Sequence, residues 1–139
     1  MQILVADDMP MVRRLCCSIL RGAGHKVREA EDGAEALAQY REARPDAILL
    51  DLRMPNMDGL AVLRELKELD PGARVVIITA GTDAEIREAV QLGARTVVLK
   101  PFNSNHILMA LERTFTAEDV KIFSWTSTVD ATSYGPPAE

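Results

Sequence analysis

The sequence predicts an α/β fold in which a parallel sheet of five strands lies between two layers of helices. Short strand-like runs, all apolar except a polar second one, alternate with segments whose apolar residues recur every three or four positions, five times before residue 115. The apolar runs before Asp51, Thr79 and Lys100 are continuous, which is typical of parallel strands buried on both faces. Strands that alternate with helices form such sheets through right-handed crossovers.

The elements are predicted in order from these patterns and from the residues between them. The expected strands are residues 2–6, 25–29, 47–50, 74–78 and 96–99. Residues suited to the first turn or N-cap of a helix follow the strands, namely Pro10, Asp32, Asp58, Thr82 or Asp83, and Asn103 or Ser104. The first helix is expected to carry its apolar residues at helical spacing, namely Val12, Leu15, Cys16, Ile19 and Leu20.

Composition and charge restrict the possible functions. A length of 139 residues suits one domain, and 47% hydrophobic with 27% charged residues is an ordinary globular composition. The net charge of −5 argues against direct binding of nucleic acid. No apolar run reaches the roughly 18 residues of a membrane span, and the acidic N-terminus is unlike a signal peptide. We expect a cytoplasmic protein that contacts neither nucleic acid nor a membrane directly.

Polar residues stand at the carboxyl ends of four predicted strands. Asp7 and Asp8 follow the first strand, Asp51 the third, Thr79 the fourth and Lys100 the fifth. Ligands of doubly wound sheets bind outside this edge. We therefore expect three carboxylates, one hydroxyl and one ammonium group to meet at a single site.

This set of side chains suits phosphoryl transfer to a carboxylate. Clustered carboxylates repel one another unless a cation neutralises them, and Mg²⁺ typically takes one or two carboxylates together with waters and phosphate oxygens. A carboxylate can act as a nucleophile toward phosphorus. The charge of the product is then stabilised by a metal, an ammonium group and a hydroxyl.

The same residues lie in motifs that resemble those of CheY-like receiver domains of two-component response regulators. The motifs are Asp7-Asp8, residues 49–59, Ile78-Thr79-Ala80 and Lys100-Pro101-Phe102. The resemblance covers residues 1–115 and implies a flavodoxin-like (βα)5 sheet with strand order 2-1-3-4-5. We therefore expect a receiver domain over 1–115 and a C-terminal extension over 116–139.

The resemblance also implies a role for each site residue. Asp51 resembles the phosphoacceptor, while Thr79 and Lys100 resemble the hydroxyl and the ammonium that contact the phosphoryl group. The Mg²⁺ ligands that it implies are Asp7 (mostly through water), Asp8, Asp51 and the backbone carbonyl of Arg53. A cis Lys100–Pro101 bond is implied as well, and Met54-Pro55 and Gly59 would shape the loop after Asp51.

The implied function is a switch rather than a turnover enzyme. Phosphate would come from a histidine kinase or a phosphotransfer protein, and the output would be binding to a downstream protein. Two alternatives stay open: an interaction module that does not use phosphate, and the regulatory part of a larger DNA-binding regulator. A phosphatase with an Asp nucleophile is disfavoured, because such enzymes usually carry an acid where Arg53 stands.

The sequence departs from the family pattern at one internal position and in the tail. Many receivers carry a rotating aromatic ring three residues before the Lys, where this chain has the stiff and smaller Val97. The usual output route through the fourth helix, fifth strand and fifth helix is therefore in question. The tail contains a possible strand at 121–129, and we expect it to pack on the domain, add to a sheet edge, exchange within a homodimer, or act as a linker.

Arg53 stands two residues after Asp51, where its guanidinium group could reach a phosphoryl group. We therefore predict that Arg53→Ala changes the lifetime of the phosphorylated protein, measured as the rate at which the adduct is lost. A dephosphorylation rate equal to that of the wild type would contradict this prediction.

Overall fold

The computed structural model describes residues 1–54, 57–116, 121–123 and 128–130. The strands in this part of the chain are β1 (Gln2–Ala6), β2 (Lys26–Ala30), β3 (Ala47–Asp51), β4 (Val75–Thr79), β5 (Thr96–Leu99), β6 (Lys121–Phe123) and β7 (Thr128–Asp130). The helices are α1 (Pro10–Gly22), α2 (Gly33–Glu42), α3 (Gly59–Leu69), α4 (Asp83–Gln91) and α5 (Ser104–Thr116).

The described strands form one sheet with the order β2-β1-β3-β4-β5-β6-β7. The first six strands pair in parallel, and β7 pairs antiparallel with β6. The predicted α/β class and the strand order 2-1-3-4-5 are therefore confirmed. The parallel arrangement brings the carboxyl ends of β1, β3, β4 and β5 to the same edge.

Two separate hydrophobic cores explain why the central strands are continuous apolar runs. Leu50 and Ile77 pack on one face of the sheet with residues of α2, α3 and α4. Their neighbours Leu49 and Ile78 pack on the other face with residues of α1 and α5. Because successive side chains of a strand point to opposite faces, β3 and β4 need apolar residues at every position.

Side-chain caps fix where several helices begin. The carboxylate of Asp32 accepts a hydrogen bond from the backbone N–H of Glu35, and that of Asp58 accepts one from Ala61. Thr82, rather than Asp83, is the N-cap of α4. Such caps satisfy backbone donors that have no partner within the helix. The predicted cap role of Asp58 is therefore confirmed.

The apolar face of α1 differs from the prediction at one position. Leu15 is 49% exposed, whereas Cys17 is buried beside Cys16 and Leu20. Arg13 is buried on this helix as well, since its guanidinium group donates to the carbonyl oxygen of Asp7 at 2.8 Å. Polar contacts of Arg13 thus help to set the rotation of α1, which apolar spacing alone could not predict.

The C-terminal extension adds two strands to the sheet. The single strand predicted at 121–129 is wrong, because two strands, β6 and β7, pair antiparallel with each other. β6 lies beside β5, with Val97 opposite Ile122 and Val98 opposite Phe123. Addition to a sheet edge, one of the arrangements expected for the tail, is therefore what the structure shows.

The domain boundary at residue 115 stays a prediction. Two aromatic residues of the tail, Trp125 and Tyr134, lie outside the described residues.

Both apolar residues of β6 are buried. Ile122 belongs to the core that contains Val97 and the apolar face of α4. Phe123 belongs to the core on the α5 side, where its ring lies 6.5 Å from that of His106. β6 thus extends both cores of the domain past β5. None of the described helices has the length and apolar character needed to cross a membrane.

We predict that Ile122→Ala lowers the free energy of unfolding by about 2–5 kcal/mol, because it leaves a cavity between β5 and α4. Met109→Ala is the matched control, since Met109 is exposed on α5 and should change stability by less than about 0.5 kcal/mol. Chemical denaturation measures both values. An Ile122→Ala protein as stable as the wild type would show that β6 does not pack on β5 in solution.

Candidate functional site

The structure brings the predicted site residues together at the carboxyl edge of the sheet. Asp51 is the last residue of β3 and Thr79 the last residue of β4, while Asp7 and Asp8 follow β1. Lys100 follows β5, and the peptide bond between Lys100 and Pro101 is cis. The position of each side chain at this edge follows directly from where its strand ends.

Asp51 is at the centre of the site. Its side chain is buried, and the Lys100 Nζ donates to Asp51 Oδ2 at 3.0 Å. The other carboxylate oxygen, Oδ1, accepts a hydrogen bond from the backbone N–H of Arg53 at 3.0 Å. Lys100 Nζ also lies 3.6 Å from Asp7 Oδ2. The ammonium group of Lys100 therefore contacts two buried carboxylates, those of Asp7 and Asp51.

Three carboxylates form a cluster beside this ammonium group. Asp7, Asp8 and Asp51 each offer an oxygen atom, and these atoms lie within 4.8 Å of one another. Burial raises the pKa of Asp7 from its ordinary value to about 6, and the nearby charge of Asp51 contributes to the rise. A hydrogen bond from the backbone N–H of Met9 and the charge of Lys100 oppose this change in pKa. The cluster is thus short of positive charge.

These features fit a hard divalent cation. Carboxylate oxygens are the donors that Mg²⁺ prefers, and the ion would supply the positive charge that the cluster needs. Neither Asp7 nor Asp8 is the N-cap of the following helix, because Met9 is the N-cap of α1, which has no side-chain cap. The ligand role of the Arg53 carbonyl stays a prediction.

Thr79 is completely buried beside Asp51 in the sheet. Its Oγ1 accepts a hydrogen bond from the backbone N–H of Gly81 at 2.8 Å. Its carbonyl oxygen accepts one from the backbone N–H of Lys100 at 2.9 Å. Because Oγ1 acts as an acceptor in the hydrogen bond from Gly81, the Thr79 hydroxyl keeps its own proton as a donor.

The loop after Asp51 depends on a glycine. A Cβ atom at Gly59 would lie 2.3 Å from the Leu52 Cα and 2.4 Å from the Asp51 carbonyl oxygen. The backbone N–H of Gly59 donates to the Leu52 carbonyl at 2.8 Å. A side chain there would push the loop away from Asp51. This contact supports the expected shaping role of Gly59, while Pro55 lies outside the described residues. Met54 is buried in the core.

Two polar residues near the site were missed from the sequence. Glu85 on α4 forms an ion pair with Arg53, with 3.1 Å between Oε1 and Nη2. Arg13 on α1 contacts the Asp7 carbonyl and pairs with Glu29 across 3.1 Å. Both residues are charged and lie on helices, where such residues are common at the surface, so no local signal distinguished them.

Val97 is completely buried. It stands three residues before Lys100, where the family pattern often has an aromatic ring. It packs in the same core as Ile86 of α4 and Ile122 of β6. The volume beside β5 is therefore filled by the extension of this chain.

Comparison with known proteins agrees with this site. Residues 3–112 match the response regulator receiver domain family. The chemotaxis protein CheY of Bacillus subtilis is 37% identical over 115 residues, which are 81% of this chain and 96% of CheY. The sporulation initiation phosphotransferase F of the same organism is 35% identical over 113 residues, 81% of this chain and 91% of that protein. The crystal structure of the NtrX receiver domain from Brucella abortus has a TM-score of 0.78 at 34% identity and covers 84% of this chain and 99% of that domain.

The fold and the matches define a phosphoacceptor domain of two-component signalling. The chain belongs to the response regulator receiver domain family. Members of this family are switches that interact with histidine kinases and downstream targets, and they generally bind Mg²⁺ at an acidic pocket. The acidic cluster is present in this chain.

We predict that Mg²⁺ stabilises the folded protein through this cluster. At about 100 times its dissociation constant, a ligand that binds only the folded state adds about 2.7 kcal/mol to the free energy of unfolding. Asp8→Asn should lose most of this gain. Thermal unfolding with and without Mg²⁺ measures the effect.

The control is Asp58→Asn, which removes a carboxylate that caps α3 outside the cluster. This variant should keep the Mg²⁺-dependent gain, although the lost charge lowers its stability under both conditions. Equal Mg²⁺ responses of Asp8→Asn and the wild type would contradict a metal site at the cluster.

Proposed function

We propose that Asp51 accepts the phosphoryl group and that the reaction depends on Mg²⁺ held by Asp7, Asp8, Asp51 and the Arg53 carbonyl. The carboxylate of Asp51 carries this proposal, because it belongs to the acidic cluster and also accepts a hydrogen bond from the ammonium group of Lys100. It is the carboxylate that contacts both the loop after β3 and Lys100.

The surrounding residues prepare this carboxylate for transfer. The backbone N–H of Arg53 and the ammonium of Lys100 each hold one of its oxygens, which orients the carboxylate. After transfer, Lys100 contacts a phosphoryl oxygen and neutralises part of the new charge. The Thr79 hydroxyl keeps the hydrogen bond from Gly81 and donates its own proton to a second oxygen. A bound Mg²⁺ would supply charge neutralisation for a further phosphoryl oxygen.

The donor in this proposal is a phosphohistidine of a histidine kinase or a phosphotransfer protein. The domain catalyses its own phosphorylation and the later hydrolysis, and it signals by binding a downstream protein in the cytoplasm. Direct contact with nucleic acid or a membrane forms no part of this function. A homodimer is compatible with it, and so is a place within a larger DNA-binding regulator.

The alternative function is an interaction module that keeps the fold without using phosphate. The buried Thr79 hydroxyl and the contact between Lys100 and Asp51 favour the phosphoacceptor function. An interaction surface alone would need neither group at the carboxyl edge of the sheet.

We predict that the wild-type protein gains one phosphoryl adduct when it is incubated with acetyl phosphate and Mg²⁺. Asp51→Asn should gain none, because its amide is not a nucleophile of the required kind. Lys100→Ala should form the adduct at least about tenfold more slowly, since it loses a charge-assisted contact. Intact-mass measurement over time gives the extent and the rate.

Asp58→Asn is the control for this experiment, and it should be modified like the wild type. Omission of Mg²⁺ should abolish the adduct. A wild-type protein without an adduct, under conditions that modify another receiver domain, would favour the phosphate-independent module. An adduct that persists in Asp51→Asn would place the acceptor on another residue.

A further inference from the structure

We propose that the ion pair between Arg53 and Glu85 couples the phosphoryl state of Asp51 to helix α4. In the unphosphorylated protein this pair holds the first turn of α4 to the loop after β3. Phosphorylation of Asp51 draws Arg53 away from Glu85 and releases that turn. The inference rests on the proposed role of Asp51 and adds Glu85 as a positioning residue.

Arg53 is in contact with both sides of this coupling. Its backbone N–H donates to Asp51 Oδ1 at 3.0 Å. Its guanidinium Nη2 donates to Glu85 Oε1 at 3.1 Å. A single residue therefore connects the proposed phosphoacceptor with α4.

Glu85 extends over the site rather than away from it. A Cβ atom at Gly81 would lie 2.3 Å from Glu85 Oε2 and 2.8 Å from Thr79 Oγ1. The carboxylate thus occupies the space that a side chain at position 81 would fill, next to the Thr79 hydroxyl. The Glu85 side chain is 31% exposed, compared with 61% for Arg53. Its position depends on the absence of a side chain at Gly81.

The charges define the direction of the change. A phosphoryl group adds a charge of about −1.5 to −2 at neutral pH and offers three strong acceptor oxygens. It repels the Glu85 carboxylate and attracts the Arg53 guanidinium group. A bond between arginine and a phosphoryl oxygen is stronger than an exposed ion pair between arginine and glutamate. Arg53 therefore exchanges Glu85 for the phosphoryl group.

The core beside α4 explains why such a contact is needed here. Val97 is buried in the same core as Ile86 of α4 and Ile122 of β6, and its side chain is not a large ring that could move. Ile86 follows Glu85 directly and anchors the helix in the core. Release of Glu85 consequently affects the first turn of α4, while the remainder of the helix stays packed.

A second ion pair, which holds α4 to α3, provides a matched control. Arg64 of α3 and Glu88 of α4 lie 3.5 Å apart, with side chains 53% and 49% exposed. Glu88 is nearly one turn further along α4 than Glu85, and its partner Arg64 lies on α3 rather than in the loop after Asp51. Loss of this pair removes a similar surface interaction without touching the proposed coupling.

The test is hydrogen–deuterium exchange of the amides of residues 83–86, with and without acetyl phosphate and Mg²⁺. Intact mass confirms the adduct in each sample. In the wild type we expect these amides to exchange up to about fivefold faster after phosphorylation. Loss of an exposed ion pair lowers the free energy of local opening by an amount that corresponds to this ratio. In Arg53→Gln and Glu85→Gln, the unphosphorylated protein should already exchange at the faster rate, and phosphorylation should change it by less than about twofold.

Two comparisons separate the coupling from a merely structural effect. Arg53→Gln leaves the acidic first turn of α4 intact, so its effect is independent of the helix dipole. Arg64→Gln and Glu88→Gln should keep the wild-type response to phosphorylation. If the adduct forms and the Arg53 and Glu85 variants respond like the wild type, the coupling is overturned while the phosphoacceptor role stands. If the wild type forms no adduct, both proposals fail.

Discussion

The shortage of positive charge at the carboxyl edge of the sheet is the constraint on which the rest of the structure depends. Asp7 and Asp51 are buried, Asp8 lies beside them, and Lys100 is the ammonium group that contacts two of the three. Burial of like charges is costly unless a counter-charge is present, and the raised pKa of Asp7 reflects that cost. A site of this kind favours a cation and responds strongly to added negative charge. Both properties are what a phosphorylation switch requires.

The sheet holds these charges in a fixed arrangement. β3 and β4 are buried on both faces, so their final residues Asp51 and Thr79 have little freedom to shift. The loop after β3 approaches its own strand closely because Gly59 has no side chain. Rigid strands therefore hold Asp51 and Thr79, whereas Arg53 is exposed and Glu85 partly exposed at the rim of the site. The division between fixed and adjustable groups follows from burial.

The extension changes the side of the domain that lies beside β5. β6 covers the edge of β5, and Ile122 fills the core next to Val97. A rotating ring at position 97 has no counterpart in this arrangement. The proposed Arg53–Glu85 coupling is a different physical connection, because it would transmit a change of charge rather than a change of ring position.

The sequence by itself determined the fold class, the strand order through the family resemblance, and the convergence of Asp51, Thr79 and Lys100. These properties follow from apolar periodicity and from the positions of strand ends, which are local features of the chain. Only the tertiary structure decided that Leu15 is exposed while Arg13 is buried, that 121–129 contains two paired strands, and that Glu85 reaches over Gly81 to Arg53. Such features depend on the direction of long side chains and on contacts between distant segments. They are set by packing and by competition among charges, neither of which leaves a periodic signal in the sequence.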